Sequence, residues 1–530
     1  MSTQFRPIEI PPGIVAMPTK NMRSSNWSEC NLIRWVEGKL SPVGGQTLYA
    51  YSLGSRCKRI HSWHSLSGRY YIAYVCEQNV YVDTGESNLI EITPAGGWPA
   101  SWPLSEGGYG DLNYSDDLYG TPRASGTILP TDKIPNAWSV DNFGALLLVM
   151  YSLDGRLLFW DPGVYEATPS PLPLLTEVTG TTQTYAPHGR SFVVTQQEFV
   201  MIFGMYDDGT PLNPDGTQSG GQRRFGWCDQ GDLNAWDFDN VTSQSGYYDI
   251  EPASPIVAAD SGRFGTLFFT ATKAYVSQYI GVPFVHNYVE LADEATPWSP
   301  ASIVTTSSYM LWMSSAGMYS FDGNTISPIM CQVRTWINDD IDIANVREEA
   351  CAVHLSDFSE WWWFYPQNGQ LYNTRCVIYN YKEGWWSEGQ MSRSAGITSS
   401  YTAHPILADG TQVFRHEYGT AYANVSAGPY AETYDLNLTS GTKLCTLKQV
   451  IPDVGGDMPN VQFSFYTRMS RSLPPGPGIW TTPVPIRPDG YVDARVTGRG
   501  LRMRISTILP VIQPFTLGQH LIDYSVRGDR

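Results

Sequence analysis

The chain has 530 residues, of which 42% are apolar and only 16% charged, with a net charge of −17 at pH 7. That length can fill more than one hydrophobic core, and that apolar share excludes a disordered chain. An acidic body also excludes tight nucleic-acid binding, which needs cationic groups to displace counterions.

The missing charge is replaced by 49 Gly, 37 Pro, 18 Trp and 32 Tyr, the composition of an all-β protein with many turns. Tyr and Trp in such numbers suit subunit interfaces, since one end of each ring can be buried while the other stays polar. The charge is unevenly spread: residues 441–530 hold 11 Lys and Arg against 6 Asp, a balance of +5, so the remainder carries −22. Acidic walls repel phosphate, yet they leave open a channel through which DNA merely passes.

Met1–Pro7 lacks the apolar centre of a secretory signal, and no apolar stretch reaches the roughly 18–20 residues that cross a bilayer. Residues 1–55 read as an irregular arm whose one or two strands join the domain that follows. Those strands centre on Trp27–Glu37, closed by Gly38, Pro42 and Gly44-Gly45. From 56 to 425 a cadence recurs: a short apolar run, a polar turn, and a second run ending in an aromatic. Gly68–Val75 is answered by Asn79–Gly85, Gly144–Met150 by Asp154–Pro162, and Ser308–Met313 by Gly317–Gly323. Further pairs lie within 190–203, 223–238, 266–277, 360–381 and 404–414.

Each pair predicts a β-hairpin. One hairpin cannot bury its own apolar face, so the series predicts a β-propeller of six to eight blades. A stacked array of β-sandwiches is the alternative. Helical periodicity is confined to Val333–Asp339. Long loops near 94–137 and 205–222 interrupt the cadence, and loops of that length are usually functional or interfacial. From 430 to 530 strict apolar–polar alternation predicts a separate β-sandwich, interrupted by the link Pro474–Gly478. Its Arg495, Arg499, Arg502 and Arg504 are expected on or near an exposed face that could dock a partner.

Little in the chain promises chemistry. The eight cysteines are scattered without a CxxC pair and read as reduced, mostly buried thiols of a cytoplasmically made protein. His61 and His64 sit at i and i+3 of an expected strand, on opposite faces, so they cannot chelate together. The recurrent Asp-Gly steps lack the alternating acidic series of a calcium loop and read as Asx turns. No pair of carboxylates stands out for glycoside hydrolysis, and there is no G-x-S-x-G elbow, Walker loop or H-E-x-x-H. No catalytic residue, cofactor or metal is therefore expected. Trp361-Trp362-Trp363 and Trp385-Trp386 are expected in the core and at a subunit interface, with carbohydrate stacking as the alternative.

Several stretches resemble the β-propeller nozzle or hub proteins in the tails of short-tailed, podovirus-type bacteriophages. Asn26–Trp35 with Gly38–Gly45 is similar to their opening signature and contains Trp27, Arg34 and Gly45. Trp138–Gly144 and Trp160-Asp161-Pro162 fit as well. The most specific segment is Arg223–Trp236, with Arg223, Arg224, Trp227, Asp232 and Trp236; Tyr275–Pro283, Trp312–Gly323 (Trp312, Asp322) and Leu517–Tyr524 also fit.

The resemblance implies a non-enzymatic virion protein, made in the host cytoplasm. It would form a ring with itself, a homo-hexamer by expectation, around a conduit for genomic DNA. Its implied partners are the adaptor of the head–tail connector above and tail fibres or tailspikes around and below. The competing readings are a receptor- or glycan-binding tail protein and a tail-associated glycan hydrolase.

Overall fold

The computed structural model describes residues 5–16, 26–85, 89–98, 135–180, 186–205, 223–251, 254–399, 401–423, 425, 427–436, 438, 443–455, 461–469, 480–507 and 514–527. Most of the two loops expected near 94–137 and 205–222, and the Pro474–Gly478 link, lie outside these residues. The chain is almost all β, and its unit is an antiparallel sheet of four strands.

Among the described residues, seven such sheets follow one another along the chain. Their first strands are Cys57–His64, Trp138–Phe143, Ser191–Val194, Ile256–Gly262, Val304–Thr305, Cys351–Leu355 and Ala395–Ile397. Each lies beside the next, and Ala395–Ile397 returns to lie beside Cys57–His64, so the sheets form a closed circle. The seventh sheet takes its outer strand from the other end of the chain: β5 (Gln46–Ser52) pairs with Gln412–His416.

The circle explains the apolar runs. A middle strand is covered on both faces by neighbouring sheets, so alternation gives way to a continuous apolar run. Glu360–Tyr365, Val200–Phe203 and Met310–Ser314 are buried at every position. Most interfaces between neighbouring sheets then have a core of their own, while Leu311, Met313 and Met318 of the fifth sheet meet Trp361 and Trp363 of the sixth in a core that extends beyond the circle. Trp63, Tyr71, Val149 and Trp160 fill the first, and Phe203, Phe225 and Phe268 fill the third. The Trp361–Trp363 run divides as a strand must: Trp361 and Trp363 enter one core and Trp362 the opposite one.

The arm at 5–42 has a different destination. β1 (Phe5–Ile8) pairs with His520–Val526, and β2 (Trp27–Asn31) with Tyr430–Thr433. β3 (Ile33–Val36) and β4 (Lys39–Pro42) form a hairpin that reaches Thr516–Leu517. Thus of the first five strands only β5 enters the circle, while β1–β4 join the sheets built from residues 430–526. Two of those sheets share a single core, with Leu447, Val450 and Val496 on one side and Phe463, Phe465 and Met503 on the other. That core runs on into Trp361, Trp363 and Trp386 of the circle. The outer strand of the sixth sheet, Trp385–Gly389, is covered by the arm, because Ile14 N donates to Trp386 O (2.8 Å) and Leu32 N to Glu388 O (2.9 Å). An edge that would otherwise invite pairing is thereby closed.

One expected hairpin differs. Ala235–Phe238 is irregular chain rather than a strand, and Arg224–Trp227 pairs instead with Gly246–Asp249. The cause is local: the Trp236 indole donates to Leu233 O at 2.7 Å, and Asp232 accepts from Asn234 N at 3.0 Å, curling the segment on itself. The short helix expected at Val333–Asp339 is present at Arg334–Asp340.

Candidate functional site

The signature residues form a framework of side chains that tie strands to connecting segments. Arg34 is buried on β3 between two carboxylates. It donates Nε to Glu360 Oε1 (3.0 Å) and Nη2 to Glu360 Oε2 (2.9 Å), and its Nη2 also donates to Glu417 Oε1 (2.7 Å). Its guanidinium lies 3.6 Å from the centre of the Phe358 ring. Glu360 further accepts from the Trp362 indole (2.9 Å), and Glu417 from Gly44 N (2.9 Å). Burial alone would lower the Arg34 pKa, but Glu360 and Glu417 outweigh it and hold the group charged. Arm, sixth sheet and seventh sheet therefore meet in one hydrogen-bonded knot.

The signature tryptophans work alike. Trp160 donates to Pro173 O (3.0 Å), Trp227 to Gln244 O (2.7 Å) and Trp312 to Ala295 O (2.6 Å), each pinning a connection to a sheet. Trp138 stacks on Tyr151 at 3.7 Å, and Trp27 packs against Trp35 in the core. Asp161 caps the helix α1 (Pro162–Ala167) through Gly163 N, and Asp322 accepts from Asn324 N and Thr325 N. Arg224 makes a forked pair with Asp249 (2.9 and 3.2 Å), while Arg223 stands 3.9 Å from the exposed Glu251. Gly45 is needed because a Cβ there would stand 2.4 Å from Gly419 O.

A second buried knot joins β5 to the seventh sheet. Arg393, fully buried, donates Nε to His416 Nε2 at 2.8 Å and also reaches Gln46 Oε1 and Ser392 O. Burial lowers the His416 pKa far below its usual value, and the Arg393 cation lowers it further. The imidazole is therefore neutral and free to accept.

At the centre of the circle, the charged side chains of the seven first strands are Lys58, Arg59, Asp141 and Asp260, two of each sign. Each is held locally. Arg59 donates to Trp138 O and Pro300 O, both at 3.0 Å. Asp260 accepts from Thr305 Oγ1 (2.7 Å) and Ser261 N (2.9 Å), and burial pushes its pKa up to about 6. Asp141 accepts from Asn142 N and Val194 N, and His61 meets Asn142 at 2.9 Å. A cavity beside Arg59, lined also by Lys58, Ser299, Glu348 and Glu349, has about 20 Å³, room for one water but no substrate. Among the described residues no three His, Cys, Asp or Glu side chains gather as a metal site, and none of the eight cysteines is in a disulfide.

No protein-family model and no curated protein matches the chain. Among solved structures, a catalytically inactive virginiamycin B lyase from Staphylococcus aureus, with quinupristin, is similar at 8% identity and a TM-score of 0.37, over 70% of this chain and 99% of that one. The Pan2 WD40 domain of Neurospora crassa is similar at 9% identity and a TM-score of 0.35, over 71% and 95%. PorZ, a surface component of the type-IX secretion system of Porphyromonas gingivalis, is similar at 7% identity and a TM-score of 0.35, over 74% and 43%. No activity passes to this chain from likenesses so faint.

The expected arginine face needs correction. Arg502 is buried, donating to Asp435 Oδ1 (3.3 Å) and Glu432 Oε1 (3.4 Å). Arg504 donates to Glu432 Oε2 (2.7 Å) and lies 4.8 Å from both the Tyr430 and Trp480 ring centres. Arg495 is exposed and Arg499 half-buried. The neutralising carboxylates sit at 432 and 435, just upstream of the segment whose charge balance is positive, so a count begun at 441 misses them. Carbohydrate stacking on Trp361–Trp363 is excluded as well, since all three rings are fully buried.

Sequence reasoning missed two surfaces. One is an open groove of about 430 Å³ between the 8–12 segment of the arm, the β3–β4 hairpin and the 517–520 segment, with Ile8, Ile10, Trp27, Trp35, Leu40 and Leu517 among its walls. The other is the projecting end of the hairpin formed by Lys273–Gly281 and Val285–Asp293, the outer strands of the fourth sheet. Tyr279, Ile280, Val282 and Phe284 are exposed there.

Proposed function

We propose that this chain is a non-enzymatic structural component of a short-tailed phage tail, a nozzle or hub that assembles as a ring around a DNA conduit. In this reading the seven sheets are blades of a β-propeller, closed by β5, and the two sheets with a shared core beside them form a β-sandwich. Adaptor, fibres or tailspikes dock on its surfaces, and the genome passes without sequence-specific contact.

The observation that carries the reading is the use made of the signature residues. Arg34, Gly45, Trp160, Trp227 and Trp312 are the residues through which the chain resembles nozzle proteins. Each fixes a strand to a distant or connecting segment. Resemblance resting on framework residues supports a shared scaffold and lends nothing to catalysis. The sewing of arm strands to the last strands of the chain suits a body that must resist pulling at either end.

The mass of the purified full chain in solution tests the reading, together with electron micrographs of the particles. Rings of several copies, six by expectation, are the predicted outcome. A stable monomer with affinity for glycans would overturn it.

A further inference from the structure

The hairpin of the fourth sheet is built unlike its neighbours. The third strand last pairs with the second at Ser277, opposite Thr266, yet it continues to pair with the fourth through Gln278↔Asn287, Tyr279↔His286 and Gly281↔Val285. A two-stranded ribbon therefore projects about four residues, roughly 13 Å, beyond the sheet. Such a ribbon is marginal in water on its own. Here its root is fixed by Phe199, which lies 5.6 Å from the Tyr279 ring and 4.9 Å from His286, the latter only 2% exposed. Its tip is the reverse: Val282 is 70% and Phe284 68% exposed, with Ile280 and Tyr279 beside them. From Gln278 to Val289 there is no Lys, Arg, Asp or Glu. Rigid, apolar and without charge, this tip has the composition of the buried centre of an interface.

The counterpart is on the same chain. The groove of about 430 Å³ is walled by Ile8, Ile10, Trp27, Trp35, Leu40 and Leu517, and its charges Glu9, Glu37, Lys39 and Asp453 come from the surrounding turns and strands. Trp27, Trp35, Leu40 and Leu517 are all packed into the core behind it, so the concavity is preformed. Within one chain neither surface fills the other, since the tip is exposed while the groove is open. An uncharged apolar knob and a groove lined by apolar and charged side chains alike, on different parts of one molecule, would make a heterologous contact, which gives a ring where its rotation closes and an open filament where it does not.

We propose that the tip Tyr279–Phe284 inserts into the arm groove of a second copy of this chain, and that this contact builds the ring. The inference rests on the ring reading above and names its joint.

Solution mass of the full-length protein tests it, with Val282→Asp/Phe284→Asp at the tip and Ile10→Asp in the groove. Wild type is expected to assemble. Each variant is expected to need a concentration raised roughly thirtyfold or more, the effect of losing one interface anchor worth about 2 kcal/mol. Mixed together, the two variants retain one intact tip and one intact groove and are expected to form a capped pair. Should a variant fold poorly, Phe284→Cys combined with Ile10→Cys is expected to yield disulfide-linked multimers on a non-reducing gel. A monomeric wild type sinks the ring reading and this joint with it. Rings that persist in the tip variant, or exclusively uncrosslinked chains from the double cysteine protein, overturn the joint alone and assign the tip to a different tail protein.

Discussion

Arg34 and Glu360 meet as a forked, buried pair, 3.0 and 2.9 Å apart, although 326 residues separate them in the chain. The pair joins the arm to the sixth sheet, and Glu417 extends it to the seventh. Replacing Arg34 by Met would leave two carboxylates buried without their cation. Removing one partner of such a pair costs about 3–5 kcal/mol. Arg34→Met is therefore expected to lower the urea midpoint of unfolding by that equivalent, with an unchanged slope. A loss below about 1 kcal/mol would show that water reaches the knot.

Two tryptophans give a paired test of the framework. Trp312 and Trp361 are both fully buried, but the Trp312 indole donates to Ala295 O at 2.6 Å, while the Trp361 indole nitrogen has no acceptor among the described residues. Replacement by Phe removes similar volume at each site. At Trp312 it also strands a carbonyl, whereas at Trp361 it removes an unpaired donor whose burial already costs free energy. Trp312→Phe should be the more destabilising by about 1–3 kcal/mol in chemical denaturation. Equal losses would mean that the indole bond contributes little.

Gly45 lies where β5 leaves the arm. A Cβ there would stand 2.4 Å from Gly419 O and 2.9 Å from Tyr418 O, both fixed backbone atoms. Tyr418 N donates to Gly45 O at 3.0 Å, and Gln46 N to Ala421 O at 2.7 Å, so the two segments cannot part cheaply. Gly45→Ala is expected to cost about 1–3 kcal/mol, read as a lowered denaturation midpoint. An unshifted midpoint would show that 418–421 moves aside.

The hairpin cadence was legible because a strand's period is two and its turns carry Gly, Asp and Asn. The all-β class and the positions of most strands follow from those cues alone. Long-range pairing was not legible. Nothing local in Phe5–Ile8 says that it pairs with His520–Val526, or that Gln46–Ser52 completes a sheet begun at 395. Such partners are chosen by closure of the whole circle and core. The same limit hid Glu360, Glu417, Glu432 and Asp435, because one carboxylate among many acquires its role only when folding brings an arginine to it. The tip at 279–284 entered only through Tyr275–Pro283, a stretch that resembles nozzle proteins, because a short apolar run does not reveal whether it is buried or exposed until its neighbours are known.

His286 shows how that root is poised toward acid. Its ring is buried among Phe199 (4.9 Å), Trp227 (4.9 Å) and Tyr279 (5.8 Å), and neither ring nitrogen has a hydrogen-bond partner among the described residues. No charged group faces it among those contacts, so burial alone lowers its pKa from 6.5 to about 4. As pH falls below 6.5 the unfolded chain takes up a proton at this position, while the folded chain does not until about 4. Folding stability from this group is therefore complete above pH 6.5 and is lost progressively toward pH 4, by about 3 kcal/mol at most. His286→Phe removes the titration and keeps the aromatic packing. His416 and His520, also held neutral by burial, and Asp260, whose shift acts in the opposite direction, are common to both proteins and cancel in the difference. Urea unfolding at pH 7 and pH 4 should show wild type losing about 3 kcal/mol more than His286→Phe between the two. Parallel losses would mean that the ring is hydrated or paired when the protein is folded, and that the hairpin root carries no acid sensitivity of its own.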